Sequence, residues 1–166
     1  LWESQPLAGA RPQQLASTTS GLLIAAGHGG QISAWESRTG TPLWTVSAGD
    51  ARISDFDYAG AQNRIIVACS YDHGVYMGSP KQAQLSLVAR SANVHRHCRI
   101  GGSGRWFVTY EIFGDMKPIA PSTEQSYSIH IFLVDESGHA MRVRSLPARA
   151  EPFWGNPPYA VGDQEF

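Results

Sequence analysis

GLLIAAGHGGQISAW, from Gly21 to Trp35, joins two short apolar runs through the glycine-rich turn GHGG. Moved 43 residues along the chain, it falls on RIIVACSYDHGVYMG from Arg64: Leu22, Leu23 and Ile24 meet Ile65, Ile66 and Val67, and Ile32 meets Val75. A further 41 residues bring Ile65, Ile66 and Val67 onto Trp106, Phe107 and Val108. Turns rich in small or polar residues, STTSG, AGAQNR and GGSGR, precede the three runs. No window of about 11 residues keeps the i, i+3, i+4, i+7 apolar stripe of a helix. The runs therefore read as strands, with Ile24, Val67 and Val108 expected at equivalent positions of successive units.

Working outward, each unit gains two more strands. QISAWE or VYMG follows the turn, and PLWTVSA, QLSLVARSA or AMRVRSLPA comes next. ISDFDY and VHRHCRI lead into the second and third units. Units of four short strands repeating about every 40 residues are the mark of propeller blades. The expected fold is all-β, with blades of four antiparallel strands forming an incomplete arc of a larger propeller. The third unit departs from the period: the strand SIHIFLVD stands 15 residues late, and the excess lies in GDMKPIAPSTEQS, which reads as an exposed loop. One segment spans 1–166, with a partial blade at 1–14, repeats at about 15–50, 51–92 and 93–148, and a closing tail at 149–166. LWES at Leu1 repeats AWES at Ala34, so the chain reads as opening inside an earlier unit.

Composition narrows the function classes. Thirteen Lys and Arg against 14 Asp and Glu give a formal net charge of -1, without the broad positive field of nucleic-acid binders. No apolar run approaches the ~18 to 20 residues that cross a bilayer, and the sequence opens on Leu1 without a basic-then-apolar stretch, so the chain reads as soluble. Cys69 and Cys98 are too few for a disulfide framework, which leans the setting toward an intracellular one, cytoplasm or nucleus.

LLIAAGHGGQISAWESRTGTPLWTVSAG resembles a WD-repeat, with Trp35-Glu36 at the Trp-Asp position and Asp72 matching the turn acid in the next unit. It also resembles the quinoprotein blade motif, through Ala34, Glu36, Thr39, Gly40 and Trp44. The resemblance runs over three units, about Gly21 to Ala148. On the WD-repeat side it implies a scaffold that binds protein partners. On the quinoprotein side it implies a small-molecule site at the mouth of the channel.

The chemistry-bearing residues are scattered. His95 and His97 in VHRHCR stand at i, i+2 and are expected on one face of a strand, a metal-ligand spacing, with Cys98 on the other. No third ligand lies nearby, and Arg96 and Arg99 flank the pair, so no metal is expected. Asp55 and Asp57 alternate with Phe56 as a paired-carboxylate candidate for acid–base work or as a solvated strand edge. No GxSxG nucleophile elbow occurs, and the GGSG at Gly101 reads as a hairpin turn.

Hairpin geometry supplies the functional expectation. The turn between the second and third strands and the link to the next unit emerge at the same end of a four-stranded blade. That end should gather His28, Arg52, Tyr71, Asp72, His73 and His95, together with the long loop carrying Met116 and Ile119 as anchors. The expected function is a non-enzymatic interaction propeller that binds a protein partner on this loop face, uses no cofactor, contacts neither nucleic acid nor membrane, and is completed by blades from further sequence or from another chain. The alternative is a propeller enzyme, an oxidoreductase, lyase or hydrolase, using His95, His97 and Asp55 at the channel mouth.

Overall fold

The computed structural model describes residues 12–18, 20–27, 29–49, 52–112 and 126–149. Their twelve strands form three sheets of four. β1 (Pro12–Ser17), β2 (Leu22–Gly27), β3 (Gln31–Glu36) and β4 (Pro42–Ser47) make the first. β5 (Ile53–Ala59), β6 (Arg64–Cys69), β7 (Gly74–Gly78) and β8 (Ser86–Arg90) make the second, and β9 (Val94–Ile100), β10 (Trp106–Ile112), β11 (Ser126–Val134) and β12 (Ala140–Arg149) the third. Within each sheet, spatial order follows chain order and every pairing is antiparallel. The only helical segment among the described residues is one 3-10 turn, Gly60–Gln62. The fold is thus all-β, as the sequence predicts.

Apolar patterning records how the sheets stack. In β6 every residue from Ile65 to Cys69 is buried, because both of its faces are covered. Ile65, Val67 and Cys69 join Ile24, Ala26, Ile32 and Ala34 in one core, while Ile66 and Ala68 join Phe107 and Phe132 in a second. A strand packed on both sides reads as a continuous apolar run. β10 alternates instead, burying Phe107, Thr109 and Glu111 against the second sheet and leaving the residues between them half-buried. Phe107 and Phe132 stack there with centroids 4.6 Å apart.

The constant offset between units is corrected by one residue. Ile24, Val67 and Val108 do occupy the second strand of each sheet, but not the same face: Ile24 points toward the second sheet, and Val67 points back at it within the same core. Between the pairs Ala26–Ile32 and Ala68–Val75, the turn holds one residue more in the second unit than in the first. An offset that aligns the third strands therefore slips the second strands by one, and one residue of slip reverses a side chain's face. Ile24, Ile66 and Val108, spaced by a constant 42, are the equivalent set; they lie opposite Ala16, Asp57 and Arg99 of the first strands.

Each sheet also carries irregularities at the same two places. The first strand bulges by one residue at Gln13, Ser54 and Arg96, and the fourth at Leu43, Val88 and Val143. A bulge bends its strand, strengthens the local twist and re-aims the side chains that follow. Sheet-to-sheet hydrogen bonds complete the stack. The Leu85 N–H donates to the Ser47 carbonyl at 2.8 Å, and Ser54 Oγ donates to the His95 carbonyl at 2.7 Å.

Candidate functional site

The turn between β6 and β7 and the link between β4 and β5 meet at one end of the stack. The Ser70 N–H donates to the Arg52 carbonyl at 2.8 Å, and the Arg52 guanidinium carbon lies 6.0 Å from the centroid of the Tyr71 ring, at the limit of a cation–π contact. Tyr71 is 72% exposed. Asp72 closes the turn by accepting the Gly74 N–H at 3.0 Å and the Tyr76 hydroxyl, with Arg90 3.6 Å away. Burial first, and then Asp72, push the Tyr76 hydroxyl up to about 12. His73 takes a left-handed backbone, φ 55°, and its carbonyl accepts the Ser91 N–H at 3.2 Å, tying the turn to the next link. Arg52, Tyr71, Asp72 and His73 therefore share this end, as the hairpin argument requires. Asp72, the turn acid of the WD-repeat resemblance, bonds within its own turn and to Arg90. His28, Met116 and Ile119 lie outside the described residues.

His95 and His97 correct the sequence reading. The bulge at Arg96 sets His97 opposite Tyr110 and His95 opposite Glu111, which are consecutive residues of β10 and so point to opposite faces. His95 is only 1% exposed and faces the second sheet, together with Cys98, which the alternation had assigned to the other side. Neither ring nitrogen of His95 has a hydrogen-bond partner, and burial holds its pKa down at about 4. The i, i+2 metal spacing is thereby broken. Among the described residues, no three His, Cys, Asp or Glu come together as metal ligands.

Asp55 and Asp57 bind backbone rather than solvent. Asp55 accepts the Cys98 N–H at 3.1 Å and Arg99 Nη1 at 2.6 Å, with His97 Nδ1 at 3.3 Å. Asp57 accepts the Ile100 N–H at 3.0 Å, and burial raises its pKa despite the two backbone N–H groups it accepts. Two carboxylates of β5 thus pair with the free edge of β9, an interlock between the second and third sheets. Beside them a cavity of about 300 Å³ is lined by Leu15, Ala16, Asp55, Phe56, Asp57 and Arg99. The alternative enzyme set is split: His97 reaches Asp55, and His95 faces the other way.

A third polar group escaped the sequence reading. Glu111, 3% exposed, accepts Ser91 Oγ at 2.5 Å and contacts His130 Nε2, while His130 Nδ1 lies 2.8 Å from Ser145 Oγ. Burial alone would raise the Glu111 pKa; hydrogen bonds from Ser91, His130 and Asn93 outweigh it and hold the carboxyl below its ordinary value. The sequence signal was slight: Thr109 and Glu111 interrupt the buried face of WFVTYEI.

No protein-family model matches this sequence, and no curated protein does. Solved structures match by shape. The β-propeller domain of Cps50 (Swd1) from Myceliophteria thermophila superposes with a TM-score of 0.63 at 11% identity, over 82% of this chain and 40% of that one. BF1038 from Bacteroides fragilis, provisionally assigned as a 6-phosphogluconolactonase, gives 0.59 at 17% identity, over 85% of this chain and 40% of that one. The chain therefore spans about 40% of the length of either neighbour. At these identities the likeness is one of fold alone: three consecutive four-stranded sheets in the manner of a β-propeller, with neither the WD-repeat nor the quinoprotein family selected.

Proposed function

We propose that this chain is a non-enzymatic, protein-binding segment of a β-propeller that recognises its partner on the loop face, through Tyr71 and Arg52 with Asp72 and His73 beside them. Tyr71 carries the reading. It is 72% exposed, yet its neighbours are tied down by the Ser70–Arg52 backbone bond and by the Asp72 turn. Tyr and Arg are the residue types on which interface energy concentrates, and a pre-ordered aromatic loses little entropy on binding. His95, 1% exposed, is too buried to touch a partner; that His28, Met116 and Ile119 join in recognition is part of the same proposal. Further blades complete the arc in this reading. Leu133 and Met141, paired on the third sheet, are 48% and 58% exposed, a surface that another sheet would cover.

The test is partner capture by cross-linking and mass spectrometry, comparing the unmodified chain with Tyr71→Ala. Leu87→Ala serves as the control: Leu87 is 45% exposed on β8, within the strand rather than in the loop. Losing a hot-spot aromatic costs about 2 kcal/mol or more, so recovery of the partner should fall roughly 30-fold for Tyr71→Ala and stay level for Leu87→Ala. Equal recovery by all three proteins removes the loop face from recognition.

A further inference from the structure

The ladder of the third sheet sets Thr109 opposite His130 and His130 opposite Ser145, with Glu111 two residues along β10 on the same face. Exposure falls along that row. Ser145, on the fourth strand, is exposed, His130 is 5% exposed and Glu111 is 3% exposed. An ionised carboxylate only accepts hydrogen bonds, so the proton between Glu111 and His130 sits on Nε2. With the proton on Nε2, Nδ1 offers its lone pair to Ser145 Oγ, 2.8 Å away. Ser91 Oγ, at 2.5 Å from Glu111, holds the carboxylate in place from the far side. Exposed hydroxyl, buried imidazole and buried carboxylate, in that order, are the parts needed to deprotonate a serine as it attacks.

We propose that Ser145 is an activated nucleophile that accepts an acyl group from an ester or thioester. This goes beyond partner recognition and does not depend on it. As Ser145 Oγ bonds to the acyl carbon, its proton passes to His130 Nδ1, and the Nε2–H bond to Glu111 stabilises the imidazolium that results. The imidazolium returns the proton to the departing alcohol or thiol as the C–O or C–S bond breaks, leaving an ester on Ser145. Arg142, paired with Phe132 in the same ladder, is placed by register on the face that Ser145 occupies.

p-Nitrophenyl acetate is the probe, read by release of p-nitrophenol and by peptide mass spectrometry. Ser86, exposed on β8, is the internal comparison. General-base assistance is worth about 10²- to 10⁴-fold, so acetylation of Ser145 should outpace that of Ser86 by roughly 100-fold or more, and Ser145→Ala should abolish the fast phase. In His130→Gln the two serines should react alike. Equal rates at Ser145 and Ser86 in the unmodified protein overturn the proposal, as does an undiminished Ser145 rate in folded His130→Gln. Should His130→Gln fail a circular-dichroism check, the Ser145-to-Ser86 ratio in the unmodified protein decides alone. A purely structural hydrogen-bond row would leave that ratio near one.

Discussion

Replacing Asp55 with Ala should be among the most damaging single changes outside the apolar cores. Its side chain is 9% exposed and faces Arg99, itself 19% exposed, at 2.6 Å, and the same oxygen accepts the Cys98 N–H at 3.1 Å. Removing it strands a largely buried guanidinium and a buried amide. Breaking a buried ion pair from one side costs about 3–5 kcal/mol, and the orphaned N–H alone accounts for about 1–3 of that scale. Against a total stability of about 5–15 kcal/mol, this is a large share. Urea unfolding followed by circular dichroism measures it; with a slope near ~2 kcal/mol per molar, the midpoint should drop by about 1.5–2.5 M. Asp55→Asn keeps the shape and one acceptor and should lose about half as much. In Asp55→Ala combined with Arg99→Met, much of the loss should return, because no buried charge is then left unpaired. A midpoint shift under about 0.5 M for Asp55→Ala, or strict additivity in the double variant, would refute the interlock.

Acid should weaken the fold in a window set by His95. Its folded pKa of about 4 lies below the ordinary 6.5, so the unfolded chain binds more protons between those values and stability falls as pH drops from 6.5 toward 4. The loss approaches about 3 kcal/mol at its limit, and Glu111, held below 4.5, adds its own loss beneath that value. His95→Leu, which breaks no hydrogen bond of the ring, should flatten the slope above pH 4.5; an unchanged pH–stability curve would show that His95 does not set it. Gly101→Ala should cost about 1–3 kcal/mol, because an added Cβ would come within 2.3 Å of the Trp106 ring, and a thermal midpoint equal to the parent's would disprove that contact.

The sequence shows best what depends on burial. Three apolar triplets at nearly equal spacing exposed the four-stranded units, since covered strands cannot avoid runs such as Ile65 to Cys69. It shows least what depends on a single residue of ladder. The turn of the second unit is one residue longer than that of the first, and composition does not mark which strand absorbs the slip; the constant offset therefore pairs Val67 with Ile24 where Ile66 is the match. The same blindness joined His95 to His97: the bulge at Arg96 has no sequence mark, yet it turns one imidazole inward and leaves the other at 40% side-chain exposure. Of the candidate site, Arg52 and Tyr71 were within reach because loop placement follows from hairpin topology. Ser145, His130 and Glu111 were not, since they come from three neighbouring strands and meet only through register.

Register also explains how such divergent units share one frame. Ala16, Asp57 and Arg99 occupy one position of the first strands, and Gln14, Asp55 and His97 another, each set just beyond a bulge. The backbone repeats and the side chains do not: the second sheet offers two acceptors where the third offers an imidazole and a guanidinium. At the junction of those two sheets the difference is productive. The carboxylates of β5 take the N–H groups of Cys98 and Ile100, and Arg99 folds back onto Asp55. Ala16 can supply no such acceptor between the first and second sheets, and among the described residues the join there includes the apolar core around Ile24 and Val67 and the backbone bonds from Leu85 N–H to the Ser47 carbonyl and from Ser47 N–H to the Ala83 carbonyl. Apolar contact is tolerant and would let two adjacent sheets slide or rotate against each other. The polar pairs are not tolerant, because exchanging Asp55 with a residue of the first sheet would bury Arg99 without its partner, at a cost of several kcal/mol. Stability here comes mainly from the cores; the short links from β4 to β5 and from β8 to β9 keep consecutive sheets adjacent, and the polar pairs fix how the second and third sheets meet.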